Sequence, residues 1–121
     1  MTLRIADLRS HLATGLAQRA AWRRLLAEAY PDDDRNGIAF ETLSKWSAEL
    51  AKMDDADPAL VPLVAAAQKT GKDTPAAACN ALGIDHTAAS RVGFSQGAAS
   101  LAALLNEWAR QAAQSLPLEG A

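Results

Sequence analysis

The sequence predicts an all-α fold in which about six helices, in an orthogonal or bundle-like arrangement, form one domain over residues 1–121. Half of the residues are hydrophobic, with Ala the dominant type and β-branched residues sparse, which favours close-packed helices over a sheet. Apolar residues also recur at helical spacing from one end of the chain to the other. A domain of this length has one core, for which we expect Trp22, Leu26, Leu43, Trp46, Leu50, Leu63, Leu82, Leu101, Leu105 and Trp108.

The first helix is predicted to end at Tyr30, because Pro31 disfavours helical geometry in the residue before it. Its apolar stripe drifts around the helix, and Gly15 near the point of change predicts a curve or a break. The stripe consists of Ile5, Leu8, Leu12 and Leu16, followed by Trp22, Leu25, Leu26 and Tyr30. The three tryptophans, Trp22, Trp46 and Trp108, are expected to meet in the core; alternatively, one of them is an exposed anchor for a partner.

The middle of the chain predicts two further helices. Pro31–Gly37 is polar and predicts a connection, after which apolar spacing marks a second helix through Leu43, Trp46, Leu50 and Met53. Ala59–Thr70 predicts a third helix, which Gly71 would end.

The last third predicts three short or amphipathic helices. Asp73 or Thr74 can cap a fourth helix with Pro75 in its first turn, and Gly83 would end it. Asp85 then caps a short fifth helix. The C-terminal helix carries a wide apolar stripe, which predicts a two-fold homodimer through this helix. That stripe is Leu101, Leu104, Leu105, Trp108 and Leu116.

A decapeptide at Gly37–Trp46, GIAFETLSKW, recurs in blurred form at Gly83–Val92 as GIDHTAASRV. The order of residues is typical of the turn and second helix of a helix-turn-helix, where Gly supplies a corner with positive φ and Ile packs beneath it. The first copy looks like the turn and reading helix of small phage and transposase regulators. That similarity implies that Thr42, Ser44 and Lys45 face outward.

The longer segment Thr74–Val92 resembles the DNA-binding headpiece of the lac-repressor family of transcription factors. Thr74, Gly83, Ser90, Arg91 and Val92 match the family pattern, and Cys79 and Ile84 are conservative replacements. The resemblance implies a small DNA-binding regulator of bacterial or phage origin that binds double-stranded DNA. The expected DNA contacts are His86, Thr87, Ser90 and Arg91, together with Thr42, Lys45, Arg23 and Arg24.

The charge distribution supports an alternative function. Twelve bases and fourteen acids give a net charge of −2, which argues against a purely electrostatic nucleic-acid binder. Bases predominate in residues 1–30, whereas the rest of the chain is acidic. The alternative is a non-enzymatic helical module that binds a protein, such as an inhibitor, an immunity protein or a secretion accessory. The acidic stretches 32–34 and 54–57 would then face a basic partner.

Calcium binding is not predicted, although Asp32, Asp34, Asn36 and Gly37 match the start of an EF-hand loop. The closing position of that loop is Leu43, which has no oxygen to donate, so we expect a solvated acidic turn without metal.

Catalysis and membrane insertion are not predicted either. His11 and His86 are the only histidines, and neither has a spacing that marks a nucleophile or a metal site, so we expect no enzyme activity and no cofactor. Cys79 is expected to be a small core residue. No segment approaches bilayer length and no signal peptide is evident, which predicts a cytoplasmic protein.

Overall fold

A computed structural model describes residues 3–84 and 100–115 of the chain. Within these residues all regular structure is helical, which confirms the predicted all-α class. The helices are α1 at Ile5–Ala29, α2 at Asp34–Lys52, α3 at Val61–Lys69, α4 at Pro75–Leu82 and α5 at Leu101–Ser115. The fifth helix predicted to start at Asp85 lies outside the described residues.

Helices α1 and α2 form a long antiparallel hairpin. Ser47 Oγ donates a hydrogen bond to the carbonyl oxygen of Ala13 at 2.7 Å, near the middle of both helices. Arg9 Nη1 donates to the carbonyl oxygen of Met53 at 3.0 Å, where α1 begins and α2 has just ended. Gly15 is buried within α1, which continues without interruption, so the predicted break is wrong. We call the end of the hairpin at residues 19–40, where α1 ends and α2 begins, its distal end.

The connection between α1 and α2 is shorter than predicted, because α2 begins at Asp34 rather than after Gly37. Asp33 caps the helix, its Oδ1 accepting a hydrogen bond from the Arg35 backbone N–H at 3.1 Å. Gly37 therefore lies inside α2 without a positive φ. The predicted helix-turn-helix corner at Gly37 is thus wrong. Pro31 and Asp32 form a turn, Asp33 is the N-cap, and Asp34 is the first residue of α2.

The ends of α3 and α4 agree with the predictions. Among the described glycines, Gly71 and Gly83 have positive φ, at 72° and 71°, and each follows the last turn of a helix. Thr74 Oγ1 accepts from the Ala77 backbone N–H at 3.3 Å, and Pro75 occupies the first helical position.

Helices α3, α4 and α5 pack against one another, and α4 and α5 also contact the hairpin. The core between them is built mainly from leucine and two tryptophans. Its most completely buried large side chains are Leu8, Leu12, Leu16, Leu43, Leu50, Leu60, Leu63, Leu82, Leu104, Leu105 and Trp108, and Trp46 is 3% exposed. Cys79 lies in the same core, and burial raises the pKa of its thiol to about 11.

Two predicted core positions at the distal end are wrong. The side chain of Trp22 is 43% exposed, and Leu26 is only half-buried. The last buried residue of α1 is Ala20, although the helix continues to Ala29. The apolar stripe of α1 therefore continues beyond its last buried residue. The predicted alternative, in which one tryptophan is exposed, is correct for Trp22.

The apolar stripe of the last helix does not form the predicted homodimer surface. Leu101, Leu104, Leu105 and Trp108 are all at most 5% exposed, because α5 turns this stripe toward the core of its own chain. These four side chains are thus not available to a second copy, and Leu116 lies outside the described residues.

Replacing the buried and the exposed tryptophan should have very different effects on stability. We expect Trp108→Ala to lower the free energy of unfolding by about 3–5 kcal/mol, because it leaves a large cavity. Trp22→Ala should cost about 1 kcal/mol or less, since the side chain is exposed and loses mainly its contacts with arginine. Urea unfolding of both variants measures the difference. Equal losses would show that Trp22 belongs to the core after all.

Candidate protein-interaction surface

Large apolar side chains are exposed chiefly at the distal end of the hairpin. Five are exposed among the described residues, and four of these, Trp22, Leu25, Tyr30 and Ile38, lie at that end; the fifth is Val61 at the start of α3. Scattered exposed apolar residues are ordinary, but a concentration at one end of a small domain is typical of an interaction site.

Helical spacing places part of this set on one face of α1. Arg19, Trp22 and Leu26 on one row, and Arg19, Arg23, Leu26 and Tyr30 on the next, are spaced by three or four residues, so the five lie on one side of α1 and its C-cap, Tyr30. We call these five residues the distal face. The face includes the indole of Trp22, which is 43% exposed, and the side chains of two arginines.

Two guanidinium groups lie over the indole ring of Trp22. Cζ of Arg19 is 5.5 Å from the centroid of the ring, and Cζ of Arg23 is 5.2 Å from it. Cation–π contacts of this kind are worth about 0.5–1 kcal/mol at exposed sites. These contacts stabilise the position of the ring, which is still 43% exposed.

Arg23 also joins the two helices of the hairpin. Its Nη1 donates to Oδ1 of Asn36 at 3.0 Å, and Asn36 is the buried polar residue among those described. A hydrogen bond from a charged donor to a buried acceptor contributes about 1.5–3 kcal/mol. The distal face therefore rests on a fixed connection between α1 and α2.

Two charged side chains at the start of α2 pair with each other. Arg35 binds Asp33 through Nε at 2.9 Å and Nη2 at 2.8 Å. The hydrogen bonds from the Arg35 side chain and backbone, with a smaller contribution from the charge of Arg23, lower the pKa of Asp33 to about 2. Asp33 is thus ionised at neutral pH and acts as the helix cap.

A separate groove runs between α1 and α2. A cavity of about 570 Å³ is lined by Ala17, Ala20, Ala21, Arg24, Leu25, Glu28, Phe40, Ser44, Ser47, Ala48 and Ala51. A second cavity of about 460 Å³ shares Ala17, Ser47 and Ala51 with it. The charged residues on the lining of the larger cavity, Arg24 and Glu28, form an ion pair with 3.5 Å between Nε and Oε1.

The predicted DNA contacts are not brought together where the structure describes them. Lys45 is exposed and lies 3.9 Å from Glu49, while Thr42 is half-buried. Both lie in the middle of α2 and not at the start of a short reading helix. Arg24 borders the groove, whereas Arg23 belongs to the distal face. The other predicted contacts, His86, Thr87, Ser90 and Arg91, lie outside the described residues.

The two acidic stretches do not form one surface. Residues 32–34 precede and begin α2, whereas residues 54–57 follow its end, and a helix of 19 residues separates them by about 28 Å. Asp54 and Asp57 accept hydrogen bonds from the backbone N–H groups of Ala56 and Ala59, at 2.7 and 2.9 Å. Asp55 forms an ion pair with Arg9. The carboxylates of the second stretch are therefore already engaged in hydrogen bonds within a turn and in one ion pair.

The part of the chain that the structure describes contains no cluster of three His, Cys, Asp or Glu side chains arranged to hold a metal ion. In the same part, every helix is too short or too polar to cross a bilayer.

Comparison with known proteins identifies the family. Residues 13–93, about two thirds of the chain, match the sequence model of the family described as "Imm-5 like putative immunity protein". The chain therefore belongs to this family. The matched region begins within α1, includes the whole of α2, α3 and α4, and contains the complete distal face. No match was found among curated proteins or among solved structures. The family supports the protein-interaction alternative rather than the predicted DNA-binding regulator.

The cap at Asp33 should make the stability of the hairpin depend on pH. Its pKa falls from an ordinary value of 3.8 to about 2 on folding. Its stabilising contribution is therefore complete above the pKa of the unfolded chain and is lost as the pH falls through the folded value. Asp33→Asn keeps a capping oxygen but not the charge. Between about pH 5 and pH 2, we expect the melting temperature of the wild type to fall further than that of Asp33→Asn.

Asp33→Ala is the matched comparison, since it removes both the capping oxygen and the charge. It should melt below Asp33→Asn at neutral pH. Because Asp33 is open to solvent, added salt should reduce the difference between the wild type and Asp33→Asn. Parallel pH profiles for the wild type and Asp33→Asn would contradict the assigned pKa.

Proposed function

We propose that this protein is an immunity protein that neutralises a protein toxin by binding it non-covalently. The observation that carries the proposal is the family match over residues 13–93. An immunity protein protects the cell that makes it from a toxin, and tight binding is sufficient for that task.

The geometry supports binding as the mode of action. Trp, Tyr and Arg are the residue types that most often dominate the energy of protein interfaces. Arg19, Trp22 and Arg23 lie on one side of α1, and Tyr30 follows at its C-cap. A surface of this kind needs little reorganisation on binding, so less of the interaction energy is lost to the ordering of side chains.

The proposal can be tested by a growth-protection assay in cells, followed by a titration of the purified proteins. A candidate protein toxin would be produced with and without this protein in a sensitive host, and growth would be followed. The purified pair would then be titrated in a toxicity or enzymatic assay of the toxin. We expect restored growth, and toxin activity that falls linearly to an end point at about one equivalent of the immunity protein, as tight binding requires.

Two results would contradict the proposal. If the protein does not restore growth in the presence of the toxin, and the two proteins form no complex in size-exclusion chromatography, the proposed immunity function is wrong. Complete inactivation by a small fraction of one equivalent would show a catalytic mode of action instead of a stoichiometric complex.

A further inference from the structure

We propose that the groove between α1 and α2 is a homodimer interface, in which the α1 helices of two copies cross antiparallel at Ala21 and Leu25 of each copy packs over Ala17 of the other. The dimer does not depend on the proposed function. It also uses a different surface from the apolar stripe of α5, which is buried within its own chain.

The groove is a surface of the hairpin. All of the described residues that line the larger cavity belong to α1 or α2, and so do those that line the smaller one. The two cavities share Ala17, Ser47 and Ala51, so the groove continues along the hairpin toward the start of α1. A long groove between two helices fits another helix, which packs into such grooves with its axis 8–10 Å from its neighbours.

The spacing of the lining residues is that of helices packed side by side. On α1 the lining of the two cavities includes Ala6, Ser10, Ala13, Ala17, Ala20 and Arg24, and on α2 it includes Phe40, Ser44, Ser47 and Ala51. Both rows alternate steps of four and three residues. This mean period of 3.5 residues keeps helices in contact when they cross at about 20°, as in coiled coils and four-helix bundles. A further helix can therefore follow the groove over several turns.

The groove contains both the large and the small side chains that a two-fold dimer needs. Leu25 is 64% exposed, and the exposed Ala17 and Ala21 precede it on the same side of α1. Leu25 and Ala17 are each four residues from Ala21. When two copies of α1 cross antiparallel at Ala21, Leu25 of each copy therefore lies over Ala17 of the other. A two-fold interface requires this self-complementarity, because the same patch of both copies meets itself.

The charges on the groove agree with a second copy as the partner. Arg24 and Glu28 form an ion pair within α1, so this part of the lining is locally neutral. At a crossing centred on Ala21, Arg24 lies level with Gln18 of the other copy. Glu28 lies level with Thr14 in the same way. Two copies therefore bring no like charges together along the crossing, although each whole chain carries −2.

The length of the crossing predicts a reversible dimer. Because α1 ends at Ala29, residues 13–29 of the two copies run beside each other, over about 24 Å. A pair of helices is about 20 Å wide, which gives a footprint of roughly 500 Å². This is close to the lower limit for specific interfaces, about 600 Å² per partner. We expect a dissociation constant in the micromolar range.

A dimer through the groove leaves the distal face accessible. At 3.6 residues per turn, Arg19 and Leu26 lie roughly 0.4 of a turn around α1 from Ala21. The second copy therefore covers one side of α1, while the distal face on another side stays open to the partner of the proposed function.

Analytical ultracentrifugation of the whole chain measures the dimer. We expect the wild type to change from monomer to dimer as its concentration rises from about 1 μM to roughly 500 μM. Leu25→Ala removes the large side chain from both copies and should raise the dissociation constant by about tenfold or more. The matched control is Val61→Ala, which removes an exposed apolar side chain at the start of α3 and should change it by less than about threefold. Thermal unfolding of each variant establishes that it is folded.

Cysteine cross-linking tests the point at which the helices cross. A residue on a two-fold axis meets its own copy, so Ala21→Cys should form a disulfide-linked dimer under mild oxidation. The matched control is Ala17→Cys, whose two copies would be about 12 Å apart along the helices. That separation exceeds the distance of about 7 Å between Cα atoms that a disulfide can span. Cys79 is buried and is retained in both variants.

Three results would overturn the proposal. A wild type that sediments as a monomer at roughly 500 μM would show that the groove does not bind a second copy. A dimer that Leu25→Ala leaves intact would show that another surface holds the copies together. Equal cross-linking of Ala17→Cys and Ala21→Cys would contradict the crossing at Ala21. None of these results bears on the proposed immunity function, because none of the measurements involves a toxin.

Discussion

The difference in length between α1 and the helices that cover it determines which surfaces of this protein are buried. At 1.5 Å per residue, α1 is about 37 Å long, whereas α3, α4 and α5 are about 13, 12 and 22 Å long. Of these shorter helices, α4 contacts α1 and α5 contacts α2, and the buried residues of α1 end at Ala20. Beyond Ala20 the apolar stripe of α1 is only partly covered, and Trp22 is 43% exposed.

At the distal end the described buried residues are Ala20, Asn36 and Ala39, so a polar contact forms part of what joins the two helices there. The Arg23–Asn36 hydrogen bond connects α1 to α2 at this end. The cap at Asp33 acts within the start of α2 itself. Because this hydrogen bond between Arg23 and Asn36 is directional, it constrains the position of α1 relative to α2 at the end of the hairpin where Trp22 is exposed.

Helix ends that depend on neighbours in the chain were predictable. The caps at Thr74 and Gly83 and the end of α1 before Pro31 involve contacts or clashes within about five residues, so local sequence is sufficient. Gly37 shows the limit of such patterns. It precedes an isoleucine just as Gly83 does, yet α2 has already begun three residues earlier at Asp34. The same dipeptide is thus a helix end in one place and helix interior in the other.

The sequence by itself determined that the chain is helical, where most helices end, and that Leu43, Trp46, Leu50 and Trp108 face a core. These properties follow from periodicity and local steric preference. Only the tertiary structure decided that Trp22 is exposed and that the stripe of α5 is buried within its own chain. Periodicity shows which residues share a face, but whether a face is covered depends on the lengths and positions of helices that are distant in sequence. The candidate site consequently lies where the periodic pattern continues and the covering helices do not.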